Sequence, residues 1–225
     1  MLNQLVAAYN EAVYDTDRDA AFAVVQRALD GGVTPEQVVF DVVLPAIEQM
    51  MGGIAEDFNS NLAQHFMTAQ IASEVTEAMV GRFAVKPEVL GRVIIGTSRG
   101  DLHTLGKRIV TGCLKTYLVE VHDLGVNVAP ERFVEAAIEK GASVIAISSM
   151  MVHTARSEEG CVAVRRLLAD AGLEERIRLV VGGAPYRFDP QLYRKLGADA
   201  WAADGVTASK VISKLIVEVT PWTMA

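Results

Sequence analysis

An imidazole and a carboxylate stand two residues apart in the segment 101–106, which reads Asp-Leu-His-Thr-Leu-Gly. A metal-ligating histidine needs an acceptor for its second ring nitrogen, and a carboxylate there also makes the ligating nitrogen more basic. Gly106 adds no side chain, so a bulky group can approach the chain at this point. The spacing of Asp101, His103 and Gly106 therefore indicates a metal ligand with its orienting partner. The alternative is that Asp101 caps the following helix, a common role for Asp in this position.

Two later apolar segments of the chain are also followed by candidate site residues, most of them small or polar. They are Ser148, Met150 and Thr154 after the first segment, and Gly182 and Gly183 after the second. The carboxyl ends of parallel strands meet at one edge of a sheet, and ligands bind beyond that edge. We therefore expect all of these residues to lie near Asp101 and His103.

Taken together, these residues resemble the signature of the cobalamin-binding domain found in methionine synthase and in the small corrinoid proteins of methyltransferase systems. The resemblance extends from about residue 91 to about residue 219. It implies a cobalamin cofactor, as methylcobalamin or hydroxocobalamin. The chain departs from the family pattern at Met150, where Leu is usual, and at His153, where a small residue or Pro is usual.

The resemblance implies a role for each matching residue. His103 would replace the cofactor's own benzimidazole as the lower axial ligand of cobalt, and Asp101 would bind its far nitrogen. Thr154 would extend this relay with its hydroxyl group. The other cofactor-binding residues would be Ser148, Gly182 and Gly183, along the slot for the displaced nucleotide tail. Met150 and Met151 are candidates for packing beneath the corrin ring, and core packing is the alternative for both.

Other sites that occur between a strand and a helix are disfavoured by the same residues. Five positions separate Gly100 from Gly106, and Arg follows Lys107, so the P-loop pattern is absent. No Gly-x-Gly-x-x-Gly motif opens the first helix of this region, which argues against a dinucleotide site. A phospho-receiver domain would carry an Asp where this chain has Ser148.

Cysteine and charge content limit the remaining classes. Cys113 and Cys161 lie far apart and no second histidine lies at ligand spacing from His103, so zinc is disfavoured. Two cysteines without motif spacing suit a reducing compartment, where we expect them to be small core residues. A net charge of -7 without a basic stripe argues against nucleic-acid binding. The sequence does not start with a basic region followed by an apolar run, and it contains no apolar stretch long enough to span a membrane. We therefore expect a cytoplasmic protein that does not contact a membrane.

Periodicity divides the 225 residues into two parts. Residues 1–83 are helical in pattern throughout and predict a bundle, with a third helix over 45–57 and a fourth over 62–83. Thr34, Pro35 and Gln37 predict a capping box at one helix start. Pro87 ends the helical run within a predicted linker, 84–90.

Residues 91–225 alternate apolar strands with helices and predict an α/β domain. The expected architecture is a flavodoxin-like or Rossmann-like doubly wound parallel sheet of five strands. Strands are expected at 92–97, 118–123, 143–148, 178–182 and 199–203, and helices near 106–117, 130–140, 158–171, 190–196 and 206–219.

The helical bundle resembles the cap that covers the upper axial face of the cofactor in corrinoid proteins. The resemblance indicates His65, on the fourth helix, as a residue at that face, and an ordinary helix histidine is the alternative. In cobalamin photoreceptors the comparable helix carries Glu-His and an upstream Trp. Here Gln64 precedes His65 and Ile54 stands about where the Trp would be, which argues against a light sensor.

The resemblance implies a corrinoid shuttle, a non-catalytic carrier subunit that binds cobalamin base-off and His-on. Its partners would be a substrate:corrinoid methyltransferase, a corrinoid:acceptor methyltransferase and a reductive activase. A cobalamin-responsive sensor or regulatory binding protein is the main rival. The small subunit of a carbon-skeleton mutase is a second rival, but such subunits lack the helical cap predicted over 1–83. The methyl donor and acceptor stay open.

Overall fold

The computed structural model of the protein describes residues 2–54, 62–85 and 87–219. These residues form two compact units. The first comprises the chain up to Glu88 together with Lys115–Leu118, and the second comprises Val89–Leu114 and the chain from Val119 onward. The first unit is helical and the second is built on a parallel sheet, so the predicted fold class is confirmed.

Five helices of the described residues, two of them with side-chain N-caps, form the first unit. They are α1 (Leu2–Tyr14), α2 (Arg18–Asp30), α3 (Pro35–Gln37), α4 (Leu44–Ile54) and α5 (Leu62–Val80). The predicted capping box is confirmed at α3, where the Thr34 hydroxyl accepts from the Gln37 N–H at 3.2 Å and the Gln37 side chain accepts from the Thr34 N–H at 3.0 Å. These bonds pair donors that the first helical turn leaves without partners.

A π-helical segment, Val38–Val43, joins α3 to α4 without a break. The Leu44 N–H bonds the carbonyl of Val39, five residues earlier. Pro45 has no N–H and its ring crowds the carbonyl four residues earlier in an ordinary α-helix, so the wider turn before it relieves that conflict. The predicted third helix is confirmed as α4, which begins at Leu44, within one residue of the predicted start, although it continues directly from the π-helical segment. Residues 55–57 of that predicted helix lie outside the described residues.

The core of the helical unit is made of apolar side chains from its longer helices. Its largest fully buried members include Tyr9, Ile47 and Ile71. All four valines of the π-helical segment are buried as well. Each helix therefore turns an apolar face inward, as the sequence periodicity predicts.

A five-stranded parallel sheet forms the second unit, in the order β2-β1-β3-β4-β5. The strands are β1 (Gly91–Thr97), β2 (Val119–Asp123), β3 (Val144–Ser148), β4 (Arg178–Gly182) and β5 (Ala200–Ala202). This is the flavodoxin-like order of a doubly wound sheet, and each strand matches its predicted position to within one residue at either end.

Helices connect these strands. They are α6 (Leu105–Thr116), α7 (Pro130–Lys140), α8 (Val152–Ala155), α9 (Cys161–Asp170), α10 (Ala184–Phe188), α11 (Leu192–Lys195) and α12 (Gly205–Glu218). The short helices α8 and α10 were not predicted, and each follows closely on a strand end. Cys113 in α6 and Cys161 in α9 are buried, as predicted. Across the described ranges, every helix is too short or too polar to cross a bilayer.

Candidate functional site

Three neighbouring strands end together at one edge of the sheet. Thr97, the last residue of β1, pairs with Ser148 at the end of β3, and Ser148 pairs with Gly182 at the end of β4. Main-chain bonds continue past the strand ends, from Ser98 N to Ser148 O at 3.0 Å and from Ser149 N to Gly182 O at 2.9 Å. The loops that follow these strands therefore start from one rigid platform.

Asp101 lies in the loop 98–104, here called the axial loop, and its side chain is fully buried. One carboxylate oxygen, Oδ1, accepts from the backbone N–H of His103 at 3.1 Å and lies 2.7 Å from His103 Nδ1. The two residues are only two positions apart, so a single turn brings ring and carboxylate together. The predicted pairing of Asp101 with His103 is thus present in the fold.

The second carboxylate oxygen of Asp101 is bound to the loop after β3. Oδ2 accepts from the backbone N–H groups of Met150 at 2.7 Å and Met151 at 3.3 Å, and from the Thr154 hydroxyl at 2.9 Å. None of these donors belongs to α6, the helix that follows the axial loop. The capping alternative for Asp101 is therefore wrong, and its carboxylate instead joins the ends of β1 and β3.

The charge on Asp101 is stabilised by these donors. Burial alone raises the pKa of this carboxyl, but the backbone and ring of His103, the Met150 N–H and the Thr154 hydroxyl lower it more, to a pKa of about 2. Asp101 is therefore an ionised carboxylate at neutral pH, and a carboxylate can only accept hydrogen bonds. The proton between the two side chains must consequently be on Nδ1 of His103.

The proton on Nδ1 leaves the other ring nitrogen of His103 available as a metal ligand. A neutral imidazole protonated on Nδ1 carries a lone pair on Nε2, which is the form that binds a metal. The side chain is 56% exposed although Asp101 beside it is buried, so the ring reaches out from the sheet edge. The Thr97 hydroxyl donates to the His103 carbonyl at 2.9 Å and holds the backbone beneath the ring.

Thr154 completes a chain of three side chains. Its buried hydroxyl lies 2.9 Å from Asp101 Oδ2 and 2.8 Å from the Met151 carbonyl, so one proton is shared between two acceptors. The order Thr154, Asp101, His103 is the relay that the sequence predicts.

Close backbone contact explains the glycine at position 183. Gly183 has φ of 119°, a left-handed conformation that favours glycine, and a Cβ at this position would overlap the carbonyl oxygen of Ser149. Ser149 is itself buried, and its hydroxyl lies 2.8 Å from that of Ser98. The main chains after β3 and β4 therefore run side by side with no side chain between them.

The surface around His103 suits a large, flat and partly apolar group. A Cβ added at Gly106 would meet nothing within 4 Å, so the space beside the start of α6 is open. Exposed apolar side chains flank the edge, namely Leu102, Leu105, Met150, Val152 and Phe188. Apolar side chains clustered at a site with few polar groups are typical of cofactor pockets. The residues present thus fit a macrocycle bound against the sheet edge by one histidine.

The predicted site residues separate into two groups in the structure. Those at the sheet edge are Asp101, His103, Gly106, Ser148, Met150, Thr154, Gly182 and Gly183. His65 is half-buried on α5 and belongs to the other unit. His153, in α8, is exposed and has no part in the relay.

Several contributors to the site were missed by sequence reasoning. Thr97 holds the His103 carbonyl, the Ser98 and Ser149 hydroxyls pair, and the Met151 N–H binds Asp101. Thr97 and Ser98 could have been noticed, because two hydroxyl residues end an otherwise apolar strand. The backbone donor of Met151 leaves no trace in the residue type.

Comparison with known proteins identifies the family to which this chain is similar. The family model of the B12 binding domain matches residues 91–212. Trimethylamine corrinoid protein 1 of Methanosarcina acetivorans is 31% identical over 224 residues, covering 94% of this chain and 95% of that protein. Dimethylamine corrinoid protein 1 of Methanosarcina mazei is 30% identical over 219 residues, covering 95% of this chain and 97% of that protein.

A similar fold is found among solved structures. A chain of the methanol:cobalamin methyltransferase complex MtaBC from Methanosarcina barkeri superposes with a TM-score of 0.72 at 22% identity, over 97% of this chain and 81% of that chain. This likeness extends to both the helical and the α/β parts of the sequence.

Proposed function

The chain belongs to the B12-binding domain family, with cobalamin as its cofactor, and we infer that it is a corrinoid carrier that binds cobalamin base-off with His103 as the lower axial ligand of cobalt. The single observation that carries this inference is the relay. A buried, ionised Asp101 holds the Nδ1 proton of a half-exposed histidine and leaves Nε2 as the ligating atom.

Each member of the relay has a separate task in this proposal. Bound cobalamin supplies a cobalt atom that accepts a methyl group from one partner and gives it to another. His103 would hold the cofactor through its Nε2 lone pair, and Asp101 fixes the tautomer and increases the basicity of that nitrogen. Thr154 orients the far oxygen of Asp101. The proton held between Asp101 and His103 thus determines which ring nitrogen of His103 is free to act as the ligand.

The nucleotide tail is proposed to lie along the ends of β3 and β4. Ser148, Gly182 and Gly183 present little or no side chain there, which is what a threaded tail requires. Met150 is proposed to lie beneath the corrin ring, because its side chain is 45% exposed while its backbone N–H binds Asp101. The role of the segment 1–83 as a cap, with His65 at the upper face, rests on the resemblance to corrinoid proteins.

Partners follow from the names of the relatives, which are trimethylamine and dimethylamine corrinoid proteins. We propose a methylamine as the methyl source, a substrate:corrinoid methyltransferase that loads the protein and a corrinoid:acceptor methyltransferase that unloads it. A reductive activase would restore cofactor that has become oxidised. The carrier itself then needs no substrate pocket, since the partners select the donor and the acceptor.

A methyl-transfer assay tests this function. Full-length protein loaded with hydroxocobalamin and reduced is mixed with mono-, di- or trimethylamine and the corresponding methyltransferase, and the visible spectrum is followed. We expect conversion to the methylated form only when amine and enzyme are both present, and reversal by an acceptor thiol with its methyltransferase.

The control is His153→Ala, which removes an exposed histidine from the same edge of the sheet without touching the relay. This variant should be methylated at the wild-type rate, whereas His103→Ala should not. Tight cobalamin binding without methylation by any of the three pairs of amine and enzyme would contradict the carrier function and favour a cobalamin sensor.

A further inference from the structure

Asn127 has a backbone conformation that its surroundings must hold in place. It lies in the β2–α7 loop, residues 124–129, and has φ of 53°, in the left-handed region. Asn tolerates this region better than other residues with side chains, but glycine adopts it at lower cost. A side chain retained at such a position suggests that the amide group itself is needed.

The contacts of Asn127 show what the amide group does. Its side-chain Oδ1 accepts from the Gly100 N–H at 2.8 Å, and its backbone N–H donates to the Asp101 carbonyl at 3.0 Å. One residue therefore binds the axial loop on both sides of the Gly100–Asp101 peptide. Gly100 has a left-handed φ of 79°, so this is the point where the axial loop would otherwise be freest to rotate.

The start of the β2–α7 loop, at Asp123–Gly125, is held in place by hydrogen bonds, so the loop can restrain the axial loop through Asn127. Lys107, buried in the first turn of α6, donates to both carboxylate oxygens of Asp123 at the end of β2. Asp123 Oδ1 also accepts from the Gly125 N–H at 2.8 Å. The Gly125 carbonyl in turn accepts from the Thr97 N–H at 3.0 Å. The loop is thus fixed at both ends beside the axial loop.

We propose that Asn127 is a positioning residue for the axial ligand, acting through the Gly100–Asp101 peptide to keep His103 in its ligating geometry. The proposal rests on the proposed function of His103. Asp101 has donors to both oxygens, but all of them restrain its side chain, whereas Asn127 restrains the main chain that carries it. The Asp101 N–H also donates to the Ser98 carbonyl at 3.0 Å, so loss of the Asn127 amide removes one of the bonds that hold this main chain and lets the His103 ring shift from its ligating position.

A set of substitutions separates the amide from the backbone conformation. Asn127→Gly keeps the left-handed backbone and its N–H but removes the acceptor for Gly100. Asn127→Asp keeps both the acceptor oxygen and a tolerance of this conformation. The matched control is Ser157→Ala. Ser157 and Asn127 line one cleft of about 340 Å³, and the Ser157 hydroxyl accepts a hydrogen bond from the Glu159 N–H at 3.1 Å, within its own loop.

The measurement is the Kd of full-length protein for methylcobalamin, together with the spectrum of the bound cofactor. Losing one net hydrogen bond should raise the Kd of Asn127→Gly about fivefold and give a mixture of ligated and unligated spectra. Asn127→Asp and Ser157→Ala should match the wild type. In a His103→Ala background, Asn127→Gly should have no further effect, because a double-mutant cycle isolates the part that acts through His103.

The outcomes are distinct. An Asn127→Gly variant with wild-type Kd and spectrum would overturn the positioning role while leaving His103 ligation intact. An equal loss in both backgrounds would show a merely structural effect and would also overturn it. If His103→Ala itself binds methylcobalamin with an unchanged spectrum, the proposed ligation falls and the role of Asn127 falls with it. If that variant binds too weakly to complete the cycle, an Asn127→Gly spectrum that is fully ligated at saturating cofactor overturns the proposal.

Discussion

Replacing Asp101 by Asn should destabilise the α/β unit at neutral pH, because it removes a buried charge that is fully paired. An Asn side chain keeps the shape but offers only one acceptor oxygen. Its amide NH2 would face donors, either His103 on one side or Met150 and Thr154 on the other. In either orientation of the amide a buried donor is left without an acceptor, which costs roughly 1–3 kcal/mol in proteins.

The expected magnitude follows from the pKa of Asp101. Its fall from 3.8 to about 2 corresponds to about 2.4 kcal/mol of stability from the ionised form, at about 1.36 kcal/mol per unit. Since the folded-state pKa is the lower one, this contribution is complete at neutral pH and is lost as the pH falls from about 4 through about 2. About half of it should remain at pH 3.

The assay is urea unfolding of the cofactor-free protein, followed by tryptophan fluorescence. Both tryptophans, at positions 201 and 222, lie in the C-terminal part of the chain and report on that region. Asp101→Asn should lower the free energy of unfolding by about 2–3 kcal/mol at pH 7, with a smaller difference from wild type at pH 3.

The control for general charge effects is Asp189→Asn. Its carboxylate pairs with Lys195 at 2.8 Å at the surface, where such pairs contribute little. An Asp101→Asn variant as stable as wild type at pH 7 would refute the reasoning. So would a difference of the same size at pH 7 and pH 3.

Three further substitutions test other parts of the site. Gly183→Ala should lower the Tm of the cofactor-free protein by several degrees, because the added methyl overlaps the Ser149 carbonyl, and an unchanged Tm would contradict the close contact. Gly106→Ala should leave the Tm unchanged or slightly higher, since its Cβ meets nothing within 4 Å and Ala favours a helix, but should weaken cobalamin binding in equilibrium dialysis. Thr154→Val should increase the Kd for methylcobalamin severalfold while Thr154→Ser restores it; equal values for the two variants would exclude a role for the hydroxyl.

Most of the fold could be predicted because its signals are local. Apolar strands alternate with helices, so the parallel sheet and its strand positions follow from periodicity. Pro45 shows where this reasoning stops. A proline usually marks a helix start, and only the π-helical hydrogen bonds before it allow the helix to continue. Such a change in hydrogen-bond register has no signature in residue type.

The candidate site shows the same division. Asp101 and His103 are predictable because their chemistry depends on side chains at fixed spacing, and Thr154 because a known motif spacing locates it. Asn127 and the Met151 N–H are not, since their roles depend on backbone groups brought together from different loops. Whether Asp101 caps a helix or holds a ring could be decided only from the positions of its donors.

The central claim is that Nε2 of His103 is the lower ligand of cobalt. It is tested most directly by electron paramagnetic resonance of the cob(II)alamin form bound to full-length protein whose histidines carry 15N. One bound 14N nucleus splits each cobalt line into three, and one 15N nucleus splits it into two. We predict triplets in unlabelled protein and doublets in labelled protein, with this splitting absent in His103→Ala. Triplets that persist after labelling would show that the cofactor's own benzimidazole is the ligand, and would contradict the account.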